Sequence, residues 1–148
     1  MYQRILVPID GSATSNCALA EAIKLARQHA AQVELVNVYE DILYWVDENY
    51  INYAELQGTI RLNAEKLLTK AQAEVIQAGI PVEAKLIEAK NNRIENVIIE
   101  EAKRWQAELI VIGTHGRSGF TRLMLGSVAE GVVRSASIPV LLIRCTEK

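Results

Sequence analysis

Four glycines, two arginines and a histidine fall within the segment GTHGRSGFTRLMLGS, at residues 113–127. The segment follows the apolar run ELIVI and precedes a helical pattern that begins near Ser127. Glycine lets the backbone approach a ligand closely, and the first amides of a helix lack intrahelical acceptors. Because the helix dipole also favours anions at that end, a phosphate fits there. The segment therefore predicts either a phosphate site or a long surface connection.

The connecting-loop interpretation has its own support in the same residues. Ser127 and Glu130 have the spacing of a capping box, in which the serine only caps its helix. Arg117 and Arg122 are either ligands for a triphosphate or solvated loop charges. The glycine spacing matches neither the Walker sequence nor the dinucleotide-binding fingerprint. Pattern alone leaves both interpretations open.

Five β-rich runs alternate with helical patterns along the chain. We expect strands at 4–9, 33–39, 81–88, 108–113 and 139–144, and helices over about 18–30, 54–78, 94–105 and from 127. Asn92 and Glu95 are spaced like a capping pair for the third helix. Alternating strands and helices with apolar central strands predict a parallel sheet covered on both faces. The expected fold is one doubly wound α/β domain over 1–148, with strand order 3-2-1-4-5.

That strand order places two glycine-bearing loops opposite each other. In doubly wound sheets, ligands bind outside the carboxyl ends of the strands where the order reverses. The segment PIDGS ends the first strand, and the glycine segment follows the fourth. We therefore expect the two loops to form one ligand site, with Gly113 leaving room for the ligand.

Composition excludes several other classes of protein. The net charge of −2 argues against a nucleic-acid or anionic-membrane binder, and no apolar run reaches the length of a membrane span. We expect a cytoplasmic protein. Cys17 and Cys145 are expected to be separate thiols without a redox role, and two histidines without paired cysteine spacing do not predict a zinc site.

The spacing Gly113-x2-Gly116-x9-Gly126-Ser127 resembles the nucleotide-binding signature of the universal stress protein family. The opening ILVPIDGS and the closing GSVAEGVVRSASIPVLLIR are similar to the same family, so the resemblance spans nearly the whole chain. Two positions depart from the family pattern. Asn92 stands where a glycine often precedes the third helix, and Ala129 stands where some members have threonine.

The resemblance implies an ATP site and assigns its residues. Pro8, Ile9 and Asp10 would line the adenosine, with Asp10 near the ribose, and Val38 would lie against adenine. The remaining positions would pass under the ribose or contact the phosphates: Ile112, Gly113, His115, Gly116, Arg117, Gly126, Ser127, Val128 and Ala129. Asp10 either contacts the ribose or shapes its turn, and its carboxylate also suits Mg²⁺ or Mn²⁺ bound with the phosphates.

Three classes of function follow from these residues. The first is an ATP-binding regulatory protein of the stress response, whose nucleotide state changes partner binding or assembly. The second is a slow ATPase or nucleotide-transferring enzyme, although no catalytic base is evident. The third is an interaction domain for which nucleotide is incidental. AMP or ADP would fit the same donors as ATP, and the client protein is not indicated.

Assembly is predicted from the last strand, at 138–144. This strand is almost wholly apolar and is expected at an edge of the sheet, where apolar strands pair with other chains. A two-fold homodimer through this edge is therefore expected. The segment at 40–53, which is rich in aromatic residues, is either a flap, a subunit contact or a surface connection.

Overall fold

The computed structural model describes residues 1–40, 53–115 and 125–145. Five strands and four helices alternate along the chain. They are β1 (Arg4–Pro8), α1 (Ala13–His29), β2 (Gln32–Glu40), α2 (Tyr53–Gln77), β3 (Val82–Ala89), α3 (Ile94–Trp105), β4 (Leu109–Gly113), α4 (Ser127–Ser135) and β5 (Val140–Ile143). The predicted bounds of the strands agree with these to within one residue. The segment at 41–52, which holds most of the uncertain region around 40–53, lies outside the described residues.

The strands form one parallel sheet in the order β3-β2-β1-β4-β5. One core cluster lies between the sheet and α1 and α2, and the other lies between the sheet and α3 and α4. The central strands are buried on both faces; β4, for example, is buried at all five positions. The doubly wound α/β fold and its strand order are thereby confirmed. Within the described ranges, no helix is long and apolar enough to cross a membrane.

The end of α2 agrees with its predicted sequence signal, and the start of α3 does not. Gly79 ends the turn after α2 with φ +79°, in the left-handed region that glycine favours. The predicted capping pair before α3 is wrong, because the N-cap residue is Arg93 and its side chain makes no capping hydrogen bond. Asn92 instead accepts the Arg93 amide hydrogen at 2.9 Å. Asn92 and Glu95 have the spacing of a capping box, but α3 begins one residue later than a cap at Asn92 would require.

A buried charge cluster lies between β2, β3 and α3. The side chain of Glu34 is 1% exposed, and one carboxylate oxygen is 3.4 Å from Nη2 of Arg104. Glu101 accepts from Nε of Arg104 at 2.7 Å and pairs with Nζ of Lys85 at 3.1 Å. Oε1 of Glu34 has no hydrogen-bond partner among the described residues. A buried, unsatisfied carboxylate oxygen is costly in its charged form, which favours a protonated Glu34.

The pKa values of the two carboxyl groups in this cluster are shifted in opposite directions. Burial, together with the hydrogen bonding and negative charge of Glu101, raises the pKa of Glu34 to about 8. Burial by itself would raise the pKa of Glu101 too. Hydrogen bonds with Arg104, Glu34 and Lys85 outweigh that effect and lower the pKa of Glu101 to about 2. At neutral pH the pair therefore carries one proton and one negative charge.

Cys17 and Cys145 form a disulfide, with their Cα atoms 5.8 Å apart. The interpretation of these residues as separate thiols was wrong. Their separation of 128 residues hides a proximity that the fold creates. Cys145 follows β5, which pairs with β4, and β4 packs against α1, where Cys17 lies. Disulfides persist mainly in oxidising compartments, so this bond argues against the expected cytoplasmic location. The location itself remains a prediction.

The strand β5 lies at an edge of the sheet. It pairs with β4 on one side, and no other described strand lies on its second side. Leu141 and Leu142 keep 38% and 37% of their surface exposed. Within the part of the chain that the structure describes, β5 is therefore an apolar edge strand, as the sequence predicted.

Candidate functional site

A cavity of about 780 Å³ opens at the carboxyl ends of the strands, where β1 and β4 lie side by side. This volume is within the range of small-molecule sites. The cavity is bounded by the ends of β1, β2 and β4, by α2 and α3, and by the start of α4. It therefore occupies the switch point that the strand order predicts.

The structure brings most of the predicted site residues to this cavity. The lining includes Pro8, Ile9, Asp10, Val38, Ile112, Gly113, His115, Gly126, Ser127, Val128 and Ala129. Gly116 and Arg117, and with them Arg122, lie outside the described residues. The two ends of the glycine segment thus face the PIDGS loop across one cavity, and the structure leaves the middle of that segment undescribed.

Hydrogen bonds join the two loops at the base of the cavity. The Thr14 hydroxyl donates to the His115 carbonyl and accepts from the His115 amide at 3.3 Å. The Ser12 hydroxyl, which caps α1 by accepting from the Ser15 amide at 3.2 Å, also lies 3.4 Å from the same carbonyl. The start of α1 is therefore joined by hydrogen bonds to the residue that follows Thr114 at the end of β4, and His115 in turn lines the cavity.

Gly113 is required by this packing. A Cβ atom at Gly113 would lie 2.6 Å from Oγ1 of Thr14 and 2.7 Å from its carbonyl carbon. The prediction that a side chain here would obstruct a ligand was therefore incomplete, because it would first collide with the backbone of α1. The glycine allows β4 and the start of α1 to meet, and it also lines the cavity itself.

Asp10 both shapes its turn and lines the cavity. Its Oδ1 atom accepts from the Ser12 amide at 2.8 Å, and its own amide donates to Oγ of Ser15 at 3.1 Å. Gly11 between them has φ +82°. An aspartate that accepts from the amide two residues later is a common device for building a tight turn. The two alternatives for Asp10 are thus compatible, since the turn holds the carboxyl group at the cavity wall.

The start of α4 presents backbone donors to the cavity. Its N-cap residue is Gly126, with φ −63° and ψ 152° and no capping side chain, so the capping-box interpretation of Ser127 was wrong. Glu130 pairs with Arg134 at 2.8 Å. The amide of Glu130 makes the first bond of the helix, to the Gly126 carbonyl at 2.9 Å. Within the described ranges, the amides of Ser127, Val128 and Ala129 have no acceptor.

On the second side of the cavity, sequence reasoning had assigned only Val38 of β2. Residues from the end of β2, from α2 and from α3 also line it, including Asn37, Tyr39, Ile60, Ala64 and Ile98. The one available signal was Asn37, a polar residue inside the otherwise apolar run LVNVY. The contribution of α2 had no such signal, because Ile60 and Ala64 resemble ordinary core positions and Asn63 resembles an ordinary exposed position.

The turn before α3 contains one residue in the left-handed conformation. Asn91, not Asn92, adopts the left-handed conformation, with φ +52°. Asparagine is among the residues that tolerate this region best. The interpretation of Asn92 as a replacement for the family glycine stays a prediction, and the left-handed residue of this turn is its neighbour Asn91.

The sequence and the fold of this chain are similar to those of known proteins. The universal stress protein family profile matches residues 1–144. A universal stress protein of Methanocaldococcus jannaschii is 32% identical over 155 aligned positions, which cover 100% of this chain and 85% of that protein. A crystal structure of a universal stress protein family member from Burkholderia pseudomallei is 30% identical, with a TM-score of 0.80 and 97% of each chain covered. The chain belongs to the universal stress protein family.

Two more distant structures with this fold were determined with nucleotides. One is a universal stress protein in complex with cAMP, with 23% identity, a TM-score of 0.72 and 98% and 99% of the two chains covered. The other is the universal stress protein of Archaeoglobus fulgidus in complex with dAMP, with 24% identity, a TM-score of 0.69 and 97% and 98% covered. At these identities the likeness establishes the common fold.

Proposed function

We propose that this protein binds ATP and acts as a regulatory stress-response protein, whose nucleotide state modulates partner binding or assembly. The observation that carries the proposal is the set of three amides at the start of α4 that have no acceptor among the described residues and belong to residues lining the same cavity as Asp10. Unpaired helix amides combined with the helix dipole bind phosphate. The cAMP and dAMP complexes of proteins with this fold support an adenine nucleotide as the ligand.

A link between the cavity and the sheet edge supports a regulatory role. The Thr114 amide donates to the carbonyl of Ile143 in β5 at 3.1 Å, and the Thr114 carbonyl accepts from the amide of Gly126 at 2.7 Å. One residue thus connects the N-cap of α4 to the exposed edge strand. A shift of α4 on binding phosphate would act on β5 through these two backbone hydrogen bonds.

Ser127→Pro provides the sharpest test of the phosphate site. Proline is favourable at the first position of a helix, and the extended backbone of Gly126 suits a residue that precedes proline. The variant removes the Ser127 amide donor and hydroxyl while preserving α4. Because hydrogen bonds to charged groups are strong, we expect ATP affinity to fall about tenfold in isothermal titration with Mg²⁺.

Ser127→Ala is the matched control, since it removes the hydroxyl and keeps the amide. Its affinity should lie between that of the wild type and that of Ser127→Pro. If Ser127→Pro binds ATP as tightly as the wild type and unfolds at the same temperature, the α4 amides do not contribute to the phosphate site. Absence of ATP binding to the wild type would contradict the proposed function itself.

We also propose that the assembly in question is a homodimer through β5. Leu141 and Leu142 are exposed on an edge that has unpaired backbone groups, and such edges pair readily with a second copy. Light scattering at micromolar concentration should give the mass of two chains. The Leu141→Lys variant should give the mass of one chain, because a charge at a sheet edge opposes pairing with a second strand. A wild-type mass of one chain would rule out this dimer.

A further inference from the structure

The disulfide between Cys17 and Cys145 joins the first turns of α1 to the chain that follows β5. Cys17 lies near the start of α1, and Cys145 lies just beyond Ile143, the last residue of β5. The Sγ atom of Cys145 is 3.0 Å from the carbonyl oxygen of Ala13, the first residue of α1. The bond therefore fastens the chain beyond the last strand to the start of the first helix.

The start of α1 also forms part of the cavity. Asp10 and Ser15 line it, and the Asp10 amide donates to Oγ of Ser15 at 3.1 Å. The Thr14 hydroxyl bonds both the amide and the carbonyl of His115, which lines the cavity from the opposite loop. Cys17 follows these residues on the same helix. A movement of the helix start would therefore displace cavity-lining groups of both loops.

The other end of the disulfide is connected to the same cavity through β5. The Ile143 carbonyl accepts from the Thr114 amide at 3.1 Å, and the Thr114 carbonyl accepts from the Gly126 amide at 2.7 Å. Thr114 and Gly126 both line the cavity. The disulfide thus links two segments that each contact the cavity wall, one from α1 and one from β5.

The disulfide lies where it can be reduced while the core stays packed. Neither cysteine belongs to either of the two buried core clusters. Both cysteines are half-buried, and their neighbours Asn16 and Arg144 are exposed. A thiol from solution can therefore approach the sulfur atoms, and such access is one of the factors that set the rate of thiol–disulfide exchange. Reduction releases the link between α1 and β5 without removing a core side chain.

We propose that this disulfide is a redox switch for nucleotide binding, in which the oxidised chain binds ATP more tightly than the reduced chain. The bond restricts the start of α1, and a preorganised site binds more tightly because less ordering is left to the binding step. Reduction gives that freedom back. The inference rests on the proposed ATP-binding function and adds the regulation of that site.

The reductant is a dithiol, which acts by two exchange steps. One of its thiolates attacks a sulfur of the disulfide, so the sulfur–sulfur bond breaks, a mixed disulfide forms and the other cysteine leaves as a thiolate. The second thiol of the reductant then displaces the remaining cysteine. Two electrons and two protons have passed to Cys17 and Cys145, which become thiols, and the reductant has become a disulfide.

The first test measures ATP affinity in the two redox states of the full chain. Isothermal titration with ATP and Mg²⁺ is carried out on air-oxidised protein and on protein reduced with dithiothreitol, at a temperature where both are folded. The reduced form should bind about fivefold more weakly or less tightly still, since coupling between two sites is typically of that size or larger. The double variant Cys17→Ser, Cys145→Ser should match the reduced form and should not respond to dithiothreitol.

A second test uses the reciprocity of this coupling. If the disulfide raises ATP affinity by some factor, ATP must favour the disulfide over the dithiol by the same factor. The protein is equilibrated in mixtures of reduced and oxidised dithiothreitol, and its free thiols are then alkylated and counted by mass spectrometry. Saturating ATP should shift the ratio of disulfide to dithiol by about fivefold or more. A disulfide that only stabilises the fold would show no shift, because both forms are folded.

The outcomes separate the switch from the proposed function. Alkylation of both cysteines in the air-oxidised protein would show that the disulfide does not form, and a reduced chain that never folds would show that the bond is structural. Either result overturns the switch, as does equal ATP affinity in the two redox states, which leaves ATP binding intact. If neither redox form binds ATP, the proposed function fails and the switch fails with it.

Discussion

Gly113→Ala is expected to lower the free energy of unfolding by about 3 kcal/mol, even without nucleotide, because it overpacks a rigid contact. The added Cβ would lie 2.6 to 2.8 Å from the hydroxyl oxygen, carbonyl carbon and carbonyl oxygen of Thr14. Two of these are backbone atoms, so relief requires the first turn of α1 to move away from β4. Urea unfolding of the nucleotide-free protein measures the effect.

Gly58→Ala is the matched control for this prediction. Gly58 lies within α2, and a Cβ there would have no atom within 4 Å. Alanine should therefore stabilise the helix by about 0.5–1 kcal/mol, the usual difference from glycine at such positions. Equal stability of Gly113→Ala and the wild type would show that the first turn of α1 moves away from β4 at no measurable cost in free energy. A loss of ATP affinity in any Gly113 variant has to be interpreted together with this effect on the fold.

Glu34→Gln is expected to remove a decline in stability between pH 5 and pH 9. The folded chain holds a proton on Glu34 up to about pH 8, whereas the unfolded chain releases it near the ordinary pKa of 4.5. Unfolding therefore becomes more favourable as pH rises between these values, and the full shift corresponds to a decline of about 5 kcal/mol. Glutamine carries no charge at any pH and so contributes no such decline.

The measurement is the free energy of unfolding by urea at several pH values. Glu74→Gln, an exposed position on α2, should keep the wild-type slope. The opposite shift of Glu101 acts only below its ordinary pKa, where its stabilising charge is lost as pH falls towards about 2. A slope in Glu34→Gln equal to that of the wild type would contradict a protonated Glu34 in the folded chain.

Sequence patterns predicted the fold because each element carried its own local signal. Apolar strands alternated with amphipathic helices, and Gly79 marked the end of α2. The strand order then followed from chain handedness and placed the two loops at one site. The helix starts were less certain, because Ser127 and Asn92 both matched capping spacings while the caps lie at Gly126 and Arg93.

The features that sequence could not predict depend on distant parts of the chain meeting. The contact between Gly113 and Thr14 joins elements about a hundred residues apart, and the cluster of Glu34 with Glu101 and Arg104 joins β2 to α3. Each residue has an ordinary local explanation. Their roles emerge only when packing removes water from around them, which no local pattern records.

The disulfide between Cys17 and Cys145 changes the connectivity of the molecule as well as its packing. Apart from short tails at its two ends, the polypeptide becomes a closed covalent circle that contains every strand except β1. One break in the backbone anywhere around that circle would open it without releasing a fragment. The two pieces would part only when the sulfur–sulfur bond was also reduced, so the integrity of this protein depends jointly on proteolysis and on redox conditions.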